Sequence, residues 1–322
     1  METEQPAGGK VSDDLPQPTF SIEPLRPHPS TQRLSNLWKT ILFLVLAGEI
    51  GPAVMYSAGT GLLGMQTGEL PPEFLLFVEA GSFGTVVGLT VLLSRLERRP
   101  FGEYGLPLKE AFAGNFWVGL LLGLAEGSVL VGLILVLGGY SFGLPALHGL
   151  AVLRWGGLHL LLFVFVGFFE EFVYRGYAQV ALTRVMGFWP AAIVLSVGFG
   201  LLHLGNRGEN WIGVASVALV GGLFAFTLKR SGNLWYAVGL HAGFDWAETF
   251  LYSVPNSGEI LKGHLSNAVL QGPNWLTGGS VGPEGSVFCF LTIGLQFLVA
   301  AWLFPAKKEK GKASEAEEQP VP

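Results

Sequence analysis

The sequence predicts an all-α polytopic membrane protein of about eight transmembrane helices, with both termini in the cytosol. Three observations carry that prediction. Half of the 322 residues are hydrophobic, 13% are charged, and mean hydropathy is +0.48; a soluble domain carries about 25% charged residues. The charges gather at the ends: residues 1–36 hold eight of the 43, residues 306–322 hold eight more, and 27 are left for the 269 residues between. That middle reads as a succession of apolar runs near the ~20 residues a bilayer crossing needs.

Taken in order, residues 1–36 form a polar, Pro-rich segment expected to be disordered. It is acidic and lacks the apolar stretch behind a basic start that marks a signal peptide. Residues 37–305 form the membrane domain, with runs at 37–57, 74–96, 112–138, 153–185, 188–204, 211–228, 234–252 and 287–304. The runs are continuously apolar rather than alternating, so helices rather than barrel strands satisfy the backbone in lipid. The fourth run is too long for one straight span, and its amphipathic second half is expected to emerge at the cytosolic interface. Residues 306–322 form a charged tail, also expected to be disordered.

Basic residues set the orientation. With both ends inside, the inner flanks hold 14 Lys and Arg, and the outer loops hold only Arg154, Arg207 and Lys262. The Gly/Pro-rich loop 254–286 is then external. Gly84 and Gly88, and Gly119, Gly123 and Gly127, recur at four-residue spacing, which predicts close helix packing.

Composition also excludes. No basic patch is interleaved with aromatics, so nucleic acid is not a partner; the lipid bilayer is. Cys289 is the single cysteine, which rules out an internal disulfide. HExxH is absent, and a two-aspartate site is impossible because Asp245 is the only aspartate outside the N-terminal segment. The GxSxG matches around Ser141 and Ser280 lack the strand–turn–helix setting that motif needs.

Ionisable groups at membrane depth are costly and mark function. Glu49, Glu79, Glu126, His159 and Glu248 read mainly as packing or hydrogen-bonding groups. Three clusters stand apart. Glu171 and Arg175 are four apart on one helix face, in the favourable order for an ion pair, while Glu170 is turned about 100° away and free to act. His203 closes a Phe199–His203 motif. His241 and Asp245 again share a face at four-residue spacing. With a turn near Gly187, Glu170, Glu171 and His203 each fall about 24 Å from it, and His241 and Asp245 lie about 16 and 22 Å along the seventh run. All six can converge on one intramembrane pocket.

Carboxylates and imidazoles around a water suit hydrolysis. A Glu can take the water's proton and return it to a leaving amine, and His groups can orient the water or stabilise an oxyanion. Glu170, His203, His241 and Asp245 could equally hold a divalent metal such as zinc, which would lower the pKa of bound water. The residues leave both routes open.

The motifs EExxxR at 170–175, FxxxH at 199–203 and HxxxD at 241–245 resemble the signature of the CPBP intramembrane proteases, the group of type II CAAX prenyl endopeptidases and bacteriocin-processing or immunity proteins. The resemblance covers roughly residues 110–255. It implies an eight-helix membrane endopeptidase, glutamic or metal-dependent, acting on a membrane-associated peptide or protein substrate, with the bacterial inner (plasma) membrane as the expected setting. Glu170 would be the catalytic base, His203 its partner on the water, His241 and Asp245 the oxyanion side, and Glu171 and Arg175 the supporting pair. The third motif often ends in Asn; Asp245 cannot donate to an oxyanion unless protonated, and could instead orient His241 or favour a metal. An ion-coupled transporter and a catalytically silent immunity or scaffold protein are the alternatives the same residues allow.

Overall fold

The computed structural model describes residues 30–63 and 71–306. The predicted tails fall almost wholly outside that range, and the described chain opens with helix from Ser30.

The described chain is helical with almost no sheet. The first span is α1 (Ser30–Phe43), a π-helical stretch (Leu44–Ile50) and α2 (Gly51–Leu63). Then come α3 (Pro72–Glu97), α4 (Gly114–Val136), α5 (Leu150–Phe172), a second π-helical stretch (Val173–Tyr177), α6 (Ala178–Met186) and α7 (Phe188–Leu202). α8 (Trp211–Ser231), α9 (Trp235–Trp246) with a third π-helical stretch (Ala247–Leu251), a short α10 (Asn274–Thr277) and α11 (Val287–Leu303) complete the chain.

Among the described residues, eight helical segments match the eight predicted runs, and six of them are long and apolar enough to cross a membrane. The other two, α9 with its π turn and α11, are the seventh and eighth runs, shorter than the ~20 residues of a full crossing.

The helix ends follow local chemistry. Pro72 opens α3, where its missing N–H costs nothing. The Asn210 side chain accepts from Ile212 and Gly213 N–H to cap α8, and Gly232 closes it at φ 83°. The long fourth run is broken rather than straight: Gly176, at φ −83° and ψ −115°, interrupts the helix between α5 and α6. α6 is largely covered by neighbouring helices. Its residues 178–183 are buried, and it packs between α1 and α7.

Glycine spacing has two outcomes. Along α4, a Cβ at Gly119 or Gly123 would overlap the backbone of Tyr236 and Leu240, and on the facing helix a Cβ at Gly239 or Gly243 would overlap that of Phe116 and Leu120. The α4/α9 seam is therefore backbone against backbone. Gly84 and Gly88 on α3 meet nothing within 4 Å, so their spacing does not mark a contact.

The loop predicted as external is also folded. β1 (Tyr140–Ser141) pairs antiparallel with β2 (Val269–Leu270), and Pro145 bridges to Ser266. These links tie residues 254–286 over the end of the bundle.

Candidate active site

Four elements deliver the predicted residues to one place. α5 carries Glu170 and Glu171 in its last turn, and the π-helical stretch that follows carries Arg175. His203 sits one residue past α7, in a 3-10 turn (His203–Gly205). α9 carries His241 and Asp245, and its position is fixed by the glycine seam with α4. Glu170, His203, His241 and Asp245 line a single cavity of about 260 Å³.

The supporting pair lies behind the cavity wall. Arg175 Nη1 donates to Glu171 Oε1 at 3.4 Å, with the two side chains 1% and 0% exposed. The guanidinium also stands over the Phe199 ring at 4.7 Å and 5.6 Å from the rings of Tyr174 and Phe224, a cage that favours its charge. Glu171 Oε1 accepts a second hydrogen bond, from His241 Nδ1 at 3.1 Å. The imidazole is stacked on Phe224 at 5.5 Å. Glu171 thereby fixes both the ring plane of His241 and which nitrogen faces the cavity.

That nitrogen, His241 Nε2, stands 3.6 Å from Glu170 Oε2 and 3.4 Å from Asp245 Oδ2. Three acceptor-capable atoms meet there, so a proton has to be shared among them. His203 Nδ1 donates to the Phe199 carbonyl at 2.8 Å; in the neutral ring its Nε2 is then the acceptor. Glu170 is the most accessible of the three carboxylates, 24% exposed.

The cavity holds residues that the motifs did not single out. Asn256 Nδ2 donates to Asp245 Oδ1 at 3.1 Å, and Asn256, Glu259 and Glu284 of the folded loop all line the cavity. The loop is thus part of the site. Glu284 is buried and accepts from the Ser257 N–H; burial, and after it the charge of Asp245, push its carboxyl up to about 8. A Gly/Pro-rich loop has no periodicity to reveal such contacts; the only sequence signal was isolated polar residues in an apolar chain.

Glu79 and Glu126 also line the cavity. Glu49 does not, and it is exposed. His159 is fully buried with Nδ1 on the Trp155 carbonyl at 2.8 Å and stays outside the cavity lining, as a helix hydrogen bonder would. Glu248 is buried next to the cavity.

A metal was one expected occupant. Among the described residues, no group of three or more His, Cys, Asp or Glu side chains is placed to hold an ion. The Nδ1 atoms of both histidines are committed, to Glu171 and to the Phe199 carbonyl. These bonds leave Nε2 as the free ring nitrogen of each histidine, the one a metal ligand would use while its other nitrogen is anchored.

Set against known families, residues 154–247 match the family model described as type II CAAX prenyl endopeptidase Rce1-like. Comparison with curated proteins and with solved structures gives no match. The matched stretch contains Glu170, Glu171, Arg175, His203, His241 and Asp245, and excludes Glu79, Glu126, Asn256 and Glu284.

Proposed function

We propose, from the match of residues 154–247 to the type II CAAX prenyl endopeptidase Rce1-like model within an integral membrane protein, that the chain is an intramembrane endopeptidase in which Glu170 activates the attacking water. The observation that carries this is the arrangement around His241 Nε2: a partly exposed glutamate and an aspartate facing one imidazole, whose far nitrogen is held by a buried Glu–Arg pair.

A water in the cavity would be held between Glu170 and His203 Nε2. Glu170 takes its proton as the oxygen attacks the scissile carbonyl, then returns that proton to the leaving amine. General base catalysis of this kind is worth roughly 10²–10⁴-fold. The developing oxyanion needs donors. A protonated His241 Nε2 is one, and an Asn256 amide N–H is the second, because the ionised Asp245 can only accept. Asp245 then holds both donors in place. Such donors are worth about 10²–10³-fold each. No step runs through a metal.

The substrate is a membrane-associated peptide or protein, CAAX-type or of the peptide-processing kind. The setting we propose is the bacterial inner (plasma) membrane with both termini inside, supported by the 14-to-3 distribution of basic residues. A Gln271→Cys variant should label from outside; labelling from inside would reverse the orientation.

The activity test uses purified protein and a panel of membrane-anchored peptides. Glu170→Gln should lose about 10²-fold or more of kcat while its thermal unfolding is unchanged, and wild-type cleavage should persist in strong chelator. Equal cleavage by wild type and Glu170→Gln would sink the assignment of the base. Loss of cleavage in chelator, restored by added zinc, would sink the metal-free mechanism.

A further inference from the structure

Beyond the catalytic group, the cavity continues toward α4 and α11, where Glu126, Glu284, Cys289 and Ile293 form its wall. This inner end has an unusual hydrogen-bond balance. Glu126 is 5% exposed and its Oε2 has no partner. Glu248, fully buried beside it, has no partner on either carboxyl oxygen. Gln296 gives its Nε2 to the Leu122 carbonyl at 3.0 Å and leaves Oε1 unpartnered. All four of these orphaned atoms can accept; two orphaned hydroxyls, Thr249 Oγ1 on the lining and Tyr236 OH near Glu126, can also donate, and acceptors remain in excess. The Glu126, Glu248 and Glu284 carboxyls are close enough to act on one another and on Cys289 electrostatically.

Among the described residues, no Lys or Arg lines the cavity, and the nearby Arg175 is paired with Glu171. A buried acceptor without a donor is costly, and more so when charged, so an excess of them favours an incoming group that donates and does not accept. An ammonium is such a group: three donors, no acceptor, one positive charge. The approach is apolar, past Val220 and Phe244, which suits an alkyl stem rather than a hydrated ion.

Building on the endopeptidase reading, we propose that this inner pocket is a specificity subsite that takes the alkylammonium side chain of a lysine lying near the scissile bond of the substrate, with Glu126 as its principal partner. Because the pocket is continuous with the catalytic cavity, the lysine's place in the peptide fixes which bond is presented to Glu170. Glu248 and Gln296 stand behind Glu126, and Glu284 closes the outer side.

The test separates binding from turnover. N-palmitoylated alanine hexapeptides, each with one Lys or one norleucine moved through the sequence, are titrated onto Glu170→Gln protein in detergent. At one position Lys should bind about tenfold or more tightly than norleucine, and adding Glu126→Gln should bring the ratio to about 1. Glu248→Gln gives an independent second variant and should reduce the ratio in the same sense. Equal binding of Lys and norleucine at every position, or a ratio that survives both Gln variants, overturns the subsite. Stabilisation by NaCl over choline chloride that Glu126→Gln abolishes, without any lysine preference, would assign the pocket to a metal cation and also overturns it. Cleavage of the same peptides by wild type is scored separately: a lysine preference in binding without any cleavage keeps the subsite and removes the protease reading, and cleavage without the preference does the reverse.

Discussion

Two carboxylate centres in this bundle are built to opposite hydrogen-bond balances. At the end of α3, Glu97 is surrounded by donors: Arg184 Nη1 at 2.7 Å, Tyr177 OH at 2.8 Å, and Lys39 Nζ and Tyr104 OH at 3.2 Å. One carboxylate thereby ties α1, α3, α6 and the π turn below the site together. In the cavity the balance is reversed. Glu170, Glu171 and Asp245 compete for one imidazole, one guanidinium and one amide, and Glu126 and Glu248 have orphaned oxygens. A buried acid saturated with donors is a strut. Acids in excess of donors leave room for a proton, a water or a ligand, and pay for that openness in stability.

The largest effect expected from this contrast is one of pH. Glu284 in the folded protein holds its proton up to about 8, against an ordinary value of 4.5. Its stabilising contribution is therefore complete below 4.5 and is lost as pH rises through 8, by at most ~5 kcal/mol. Thermal stability in detergent should fall from pH 5 to pH 8, and Glu284→Gln should flatten the fall. An unchanged slope in the variant would mean that this carboxyl ionises freely and that the acid excess is not felt by the fold.

Next in size is the caged pair. Arg175→Met leaves Glu171 buried without its counter-charge, which costs about 3–5 kcal/mol, and it removes the group that steadies the Glu171 carboxylate holding His241. The double variant Glu171→Gln with Arg175→Met should recover much of the stability and little of the activity. Recovery of both would show that the pair serves packing alone.

The backbone seam gives the third effect and shows how far sequence reaches. Gly123→Ala must push α9 off α4, at about 1–3 kcal/mol, and it displaces His241 and Asp245 along with α9, so activity should fall more than stability. Gly84→Ala, at the same spacing, should change unfolding by less than about 0.5 kcal/mol. Four-residue spacing is local and legible, but whether a second helix covers it is not, because that depends on α9, more than a hundred residues on. The same limit applies to the site. The i,i+4 pairs Glu171/Arg175 and His241/Asp245 could be read because helix geometry alone places them on one face. A depth counted from Gly187 back to Glu170 assumes unbroken helix, and Gly176 breaks it. Asn256 and Glu284 could not be read at all, since a loop without period places them only through its pairing with residues 140–145.

Glu97→Gln is the smallest change and the sharpest test of what a strut is. The variant keeps one acceptor oxygen and the side-chain shape, but it exchanges charge-assisted hydrogen bonds for neutral ones and turns one acceptor into an amide that faces other donors. At roughly 1–2 kcal/mol the loss should appear in unfolding. It should not alter the ratio of lysine to norleucine binding, because none of its four partners lines the cavity. A change in that ratio would mean that the clamp on α6 sets the position of Arg175 through the π turn, and that the two carboxylate centres form one mechanical unit rather than a strut and a site.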